Sequence, residues 1–159
     1  MTIVFLSRLY YPHIGGVEKH VAGISKILSQ KHKIKIITEQ YEPKLPAYEE
    51  KEGIEIYRIP GPDKWAVWKW ILENRKILDE ADIIHAHDVY FWLFPYKLLH
   101  PFKKTFVTFH GWEGIYPIPW QNKLIRKFSE ILATGNICVG DFIVKWYGTH
   151  PDFVTYGAV

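Results

Sequence analysis

Apolar positions recur along the chain in two rhythms, short β-rich runs and longer stretches with helical spacing. Residues 3–7 form a brief apolar run, and Val17, Val21, Ile24 and Leu28 then recur at the spacing of one helix face. Residues 34–38 give the next strand, followed by residues 40–53, a polar, proline-containing stretch that reads as the least structured part of the chain. In residues 54–59, Ile54 and Ile56 alternate with Glu55 and Tyr57, the pattern of a half-exposed edge strand. A broad apolar stripe over residues 65–79 predicts one helix; residues 83–87 and 105–110 predict strands, with an aromatic segment at 90–99 between them. Residues 121–133 give the clearest helix. There Leu124, Ile125, Phe128, Ile131 and Leu132 face one way and Lys123, Arg126, Lys127 and Glu130 the other, until Gly135 stops it. Residues 136–139 and 153–156 complete the strands, with a short helical piece between them.

Alternating helices and fully apolar strands predict an α/β fold: a Rossmann-like, doubly wound parallel sheet with helices on both faces. The 159 residues are enough for one domain with a sizeable core and short for two, so one domain over 1–159 is expected. A formal net charge of +3 is too small to imply a nucleic-acid partner, and none is expected. Cys138 stands alone, which excludes an intrachain disulfide and a multi-cysteine metal cluster. No apolar run approaches the roughly 18–20 residues of a membrane span. The start of the chain reads as a first strand rather than a signal peptide, and a cytoplasmic setting is expected. Richness in Ile, Lys and Glu, with few Asn, Gln, Met and Cys, suits a thermophile. Seven tryptophans ask for more than burial alone.

Ligands of such sheets bind beyond the carboxyl ends of the strands, which selects the residues just after each strand. Gly15 and Gly16 precede the first helix, where bare backbone and free N–H groups would seat a diphosphate or carboxylate; a plain turn into the helix is the even alternative. There is no G-x-G-x-x-G, so a dinucleotide reading fails, and Glu39 reads as a loop residue rather than a ribose-binding acid. His85, His87 and Asp88 end a buried strand. Alternation along a strand sends His85 and His87 to the same side, and a metal pair completed by Asp88 or His110 is the minor reading. A polar role, binding sugar hydroxyls, is favoured for this cluster, with His85 itself a satisfied core histidine and no metal expected. His110, followed by Gly111, is the sharpest single candidate, because an imidazole at a strand end can donate or accept near neutral pH. His13, His20, His32, His100 and His150 read as surface or loop residues. The basic face Lys123, Arg126 and Lys127, with Lys103, Lys104, Trp112 and Trp120 nearby in sequence, reads first as a solvated helix face and second as a dock for an anionic membrane.

The segment Pro12-His13-Ile14-Gly15-Gly16-Val17-Glu18-Lys19-His20-Val21 closely resembles the start of family 4 glycosyltransferases of the GT-B type. Asp82-Ile83-Ile84-His85-Ala86-His87, Thr108-Phe109-His110-Gly111 and the terminal Tyr156-Gly157-Ala158-Val159 follow in the right order, so the resemblance covers essentially the whole chain. The resemblance implies one half of a two-domain enzyme that retains anomeric configuration and needs no bound metal or cofactor. Carried over by position, Gly15 and Gly16 would approach the donor diphosphate, and His110 would contact the transferred sugar. Asp88 joins His110 as a catalytic candidate, and Glu18 and Glu113 would face the acceptor. A second domain, expected to be absent from this chain, would hold most of the nucleotide-sugar, and the isolated chain is expected to be inactive. Gly140 and Tyr156 stand where the family more often shows a serine and an asparagine. The acceptor is expected to be another sugar or lipid-linked, with peripheral membrane contact. Two rivals belong to other classes. One is a non-catalytic assembly subunit, which exposed aromatics around Trp65, Trp68 and Trp70 would support; the other is a metal-dependent hydrolase built on His85, His87 and His110.

Overall fold

The computed structural model describes residues 1–61, 63–111, 114 and 116–156. Its strands are β1 (Thr2–Ser7), β2 (Lys33–Gln40), β3 (Tyr48–Lys51), β4 (Ile54–Pro60), β5 (Ile83–His87), β6 (Thr105–Phe109), β7 (Gly135–Val139) and β8 (Phe153–Thr155). They form one sheet in the order β3-β4-β2-β1-β5-β6-β7-β8, parallel throughout except where β3 pairs antiparallel with β4. The helices are α1 (Gly16–Leu28), α2 (Lys64–Glu73), α3 (Lys76–Asp79), α4 (Phe94–Leu99), α5 (Trp120–Leu132) and α6 (Asp141–Tyr147), with a 3-10 turn at Tyr90–Leu93. The expected Rossmann-like sheet is therefore present, with its central strands in register from β1 outwards on both sides.

Strand periodicity divides the apolar residues into two cores, one on each face. Ile3, Phe5, Ile34, Ile36, Ile54 and Ile56 pack with Val21 of α1. Val4, Leu6, Ile37, Ile84, Ala86 and Val107 face the other way, against Val67 and Ile71 of α2, Tyr96 of α4 and Ile143 of α6. Burial of each of these isoleucines contributes about 1.5–3 kcal/mol. The same alternation sends His85 and His87 to the face covered by α1.

Three expectations need correction. β4 is not the edge strand: residues 48–51, inside the stretch expected to be least structured, form β3 and cap it. A strand as polar as Tyr48–Lys51 leaves little apolar signal, and its order comes from a buried charge instead. Arg58 is fully buried; its guanidinium donates to Pro46 O at 3.0 Å, Tyr11 O at 3.1 Å and Glu49 Oε1 at 2.5 Å, pinning two loops and β3 at once. The single helix expected over 65–79 is two helices, because Asn74 leaves the helical region with φ −102° and caps α2 with a bond to Trp70 O.

The third correction matters most for function. α5 is as amphipathic as expected, but it presents its apolar stripe outwards. Trp120 is 68% exposed, Leu124 45%, Phe128 48% and Ile131 66%, whereas Arg126 is 7% and Ser129 2% exposed. Arg126 is held inside because its guanidinium carbon lies 3.7 Å from the centre of the Tyr147 ring and 4.5 Å from that of Phe109, while Nη2 donates to Gly111 O at 3.0 Å.

Candidate active site

The carboxyl ends of β1, β5 and β6 open onto a cavity of about 770 Å³ whose walls include Arg8, Glu18, His87, Asp88, His110 and Arg126. Its position is the one that parallel sheets dictate, since strand ends and helix starts converge there. Trp68 of α2 forms part of the wall and is fixed by donating from Nε1 to Phe91 O at 2.8 Å. Of the three tryptophans considered for an exposed aromatic surface, Trp65 is 64% exposed, while Trp68 and Trp70 pack partly against the core.

Asp88 sets the geometry where β5 ends. Its φ of 62° turns the chain sharply, its N–H donates to Thr108 O at 3.0 Å, and its Oδ1 accepts from His110 N at 2.9 Å. One residue therefore joins the ends of β5 and β6 and fixes the backbone from which the His110 imidazole projects. His87 Nδ1 and His110 Nε2 lie 2.9 Å apart. His85 stacks on His87 with ring centroids 4.5 Å apart, and its Nε2 has the partner a satisfied histidine needs, Thr108 Oγ1 at 2.8 Å.

His20 completes the cluster. It was expected on the surface, yet its ring centroid lies 5.0 Å from that of His110 and 5.7 Å from that of His87. The signal was available in the helical periodicity: position 20 lies three residues after Val17 and four before Ile24, on the face that α1 turns to the sheet. Glu39 also departs from expectation. It is a buried strand residue, paired with the exposed Arg8 at 3.3 Å.

At the start of α1, Gly15 is the N-cap and Glu18 folds back towards it; a Cβ added at Gly15 would overlap the Glu18 carboxylate. His13 Nδ1 lies 3.5 Å from Glu18 Oε1. Gly16 is different, since among the described residues a Cβ there would meet nothing within 4 Å. Gly15 and Gly16 thus stand beside the cavity rather than among its walls, while Glu18, Asp88 and His110 line it. Glu113, the other acceptor-side candidate, lies outside the described residues, as do Trp112 and the terminal glycine-alanine-valine.

Crowding keeps the imidazoles uncharged. Burial, helped by the neighbouring His20, pushes the pKa of His110 down to about 4. Burial, with His110 and His20 nearby, brings His85 to about 4, and burial lowers His87 well below the ordinary value. His20 is lowered by burial too. At neutral pH the cavity floor is a set of neutral donors and acceptors, able to bond hydroxyl groups but without net charge. At His85 and His110 the unfolded chain binds protons near pH 6.5 and the folded chain only near 4, so the stability they allow is complete above about 6.5 and falls as pH drops through that window. Denaturant unfolding should therefore show stability declining from pH 7 to pH 5, and His110→Gln should flatten that decline; an equal slope in the variant would contradict the assignment.

Residues 14–152 match the family model Glycosyltransferase Family 4. Over 162 aligned positions the chain is 24% identical to the phosphatidylinositol N-acetylglucosaminyltransferase GPI3 subunit of Saccharomyces cerevisiae, covering 90% of this chain and 36% of the yeast protein. Among solved structures, sucrose-phosphate synthase from Thermosynechococcus elongatus superposes with a TM-score of 0.76 at 11% identity, over 99% of this chain and 48% of that one. A ugt transferase from Siraitia grosvenorii, solved with UDP, gives a TM-score of 0.52 at 12% identity, over 98% of this chain and 50% of the other. The two structural likenesses concern the fold, and this chain spans half or less of the length of these three proteins. With the family match covering most of the chain, including the ends of β5 and β6 that open onto the cavity, the chain belongs to Glycosyltransferase Family 4.

Proposed function

We propose that this chain supplies the acceptor side of a retaining glycosyltransferase, in which a sugar passes from a nucleotide-sugar to a sugar or lipid-linked acceptor. What carries this reading is the convergence of His110, Asp88 and Glu18 on one cavity beside the start of α1. The neutral His110 imidazole is suited to hold a hydroxyl of the transferred sugar, and Asp88 acts on it through the backbone bond to His110 N. Among the described residues a Cβ at Gly16 would meet nothing within 4 Å, which leaves room for a donor diphosphate laid against bare backbone. The free N–H groups and positive dipole end of α1 would then stabilise charge as it develops on the departing phosphate. Glu18, and Glu113 by sequence position, would face the acceptor. A second domain outside this chain would hold most of the nucleotide-sugar, so the chain alone should be inactive, and no metal or cofactor enters the reaction.

A lipid-linked acceptor is favoured by the outward face of α5. Trp120, Leu124, Phe128 and Ile131 recur four, four and three residues apart on that face, and the exposed Lys123 and Lys127 flank them. Among the described residues no helix is long and apolar enough to cross a membrane. Contact would therefore be peripheral, with apolar side chains entering the interface and lysines meeting anionic headgroups.

Two measurements test this reading. With a donor-binding half supplied in the same or a second chain, and assayed against a panel of nucleotide-sugars, His110→Ala should lower kcat by about a hundredfold or more. Gly16→Ala should leave folding stability equal or slightly higher, since alanine exceeds glycine in helix propensity by up to about 1 kcal/mol, while turnover falls. Full turnover in both variants would exclude the proposed site. Separately, the chain should float with anionic liposomes at low salt, and the double variant Phe128→Ser, Ile131→Ser should float several-fold less; no binding by the parent chain would exclude the membrane contact.

A further inference from the structure

We infer that His20, His87 and His110 form a binding site for a divalent late first-row transition metal of the zinc class. One ligand atom from each of these side chains lies within 4.8 Å of the others. They come from three separate elements, α1, the end of β5 and the loop after β6, and the ring centroids stand 5.0, 5.1 and 5.7 Å apart. Zinc bound by imidazole nitrogens at about 2.0–2.1 Å in tetrahedral geometry holds those nitrogens roughly 3.3–3.4 Å apart. His87 Nδ1 and His110 Nε2, now 2.9 Å apart, would need to separate by only a few tenths of an ångström if they are the ligating atoms. His20 would move in from α1, where it is half-buried and free of the backbone constraint that Asp88 places on His110.

The donor set determines the class of ion. Three imidazoles without a carboxylate suit zinc, cobalt, nickel or copper, whereas magnesium and calcium require oxygen ligands. His87 and His110 both line the cavity, so the remaining coordination position would open towards it and accept water or a ligand oxygen. Binding of the ion does not rest on the transferase reading. Where that reading holds, the metal occupies the imidazole meant for the sugar, so it acts as an inhibitor and not as a cofactor.

The test uses the metal alone on the chelator-stripped chain. Equilibrium dialysis against zinc should give one bound equivalent, and cobalt should give the visible absorption bands of a tetrahedral nitrogen site. His20→Ala, which alters a half-buried position on the helix surface and should fold normally by circular dichroism, should weaken binding by more than about tenfold. His150→Ala, at an exposed position away from the cluster, should leave it unchanged. Failure to bind zinc stoichiometrically, displacement by excess magnesium, or equal affinity in a folded His20→Ala protein would each overturn the site.

Discussion

Asp88 is where the sheet becomes a site. The turn after β5 places this residue at φ 62°, a conformation that costs an L residue roughly 1–2 kcal/mol. Two hydrogen bonds to β6 and its continuation, Asp88 N to Thr108 O and His110 N to Asp88 Oδ1, offset that cost. The strained residue thus locks two strand ends in one register. Everything above it inherits that register: the 2.9 Å approach of His87 to His110, the stacking of His85, and the orientation of the cavity floor towards the start of α1.

The floor is unusual in being built from imidazoles held in their neutral form. Four of them share the face under α1, and burial together with mutual repulsion keeps protons off them at neutral pH. A sugar presents hydroxyls that both donate and accept, and neutral imidazoles do the same. The opposite side of the cavity carries its charge differently, with the Arg126 guanidinium clamped between Phe109 and Tyr147. Clamping Arg126 inwards turns α5 over, and this exposes the apolar stripe that the membrane proposal uses.

Much of this was legible from the sequence because strand ends are marked by local pattern. The apolar runs gave the strands and their parallel arrangement, and the residues following them included Glu18, Asp88 and His110. What escaped shares one physical cause. A period of 3.6 reveals that α5 has an apolar stripe, but not which way it points, since Tyr147 and Phe109, the rings that hold Arg126, come from other elements. β3 was hidden because its order depends on Arg58, buried and bonded across the fold, and not on apolar residues of its own. His20 was hidden among surface histidines, although its helical phase pointed inwards. Isolated charged or polar residues on inward-facing positions were the recurrent blind spot, and tertiary partners decide such cases.

The claim that Asp88 fixes His110 can be tested directly by following the His110 imidazole by NMR as a function of pH in Asp88→Asn and Asp88→Ala proteins. Asparagine tolerates the left-handed backbone and retains an accepting oxygen, so His110 should still titrate near pH 4, as in the parent chain. Alanine removes the acceptor; the loop should loosen, and the His110 titration should move up towards the ordinary value of about 6.5. If His110 titrates unchanged in a folded Asp88→Ala protein, the strand-end bridge does not hold the site together, and the account of its geometry is wrong.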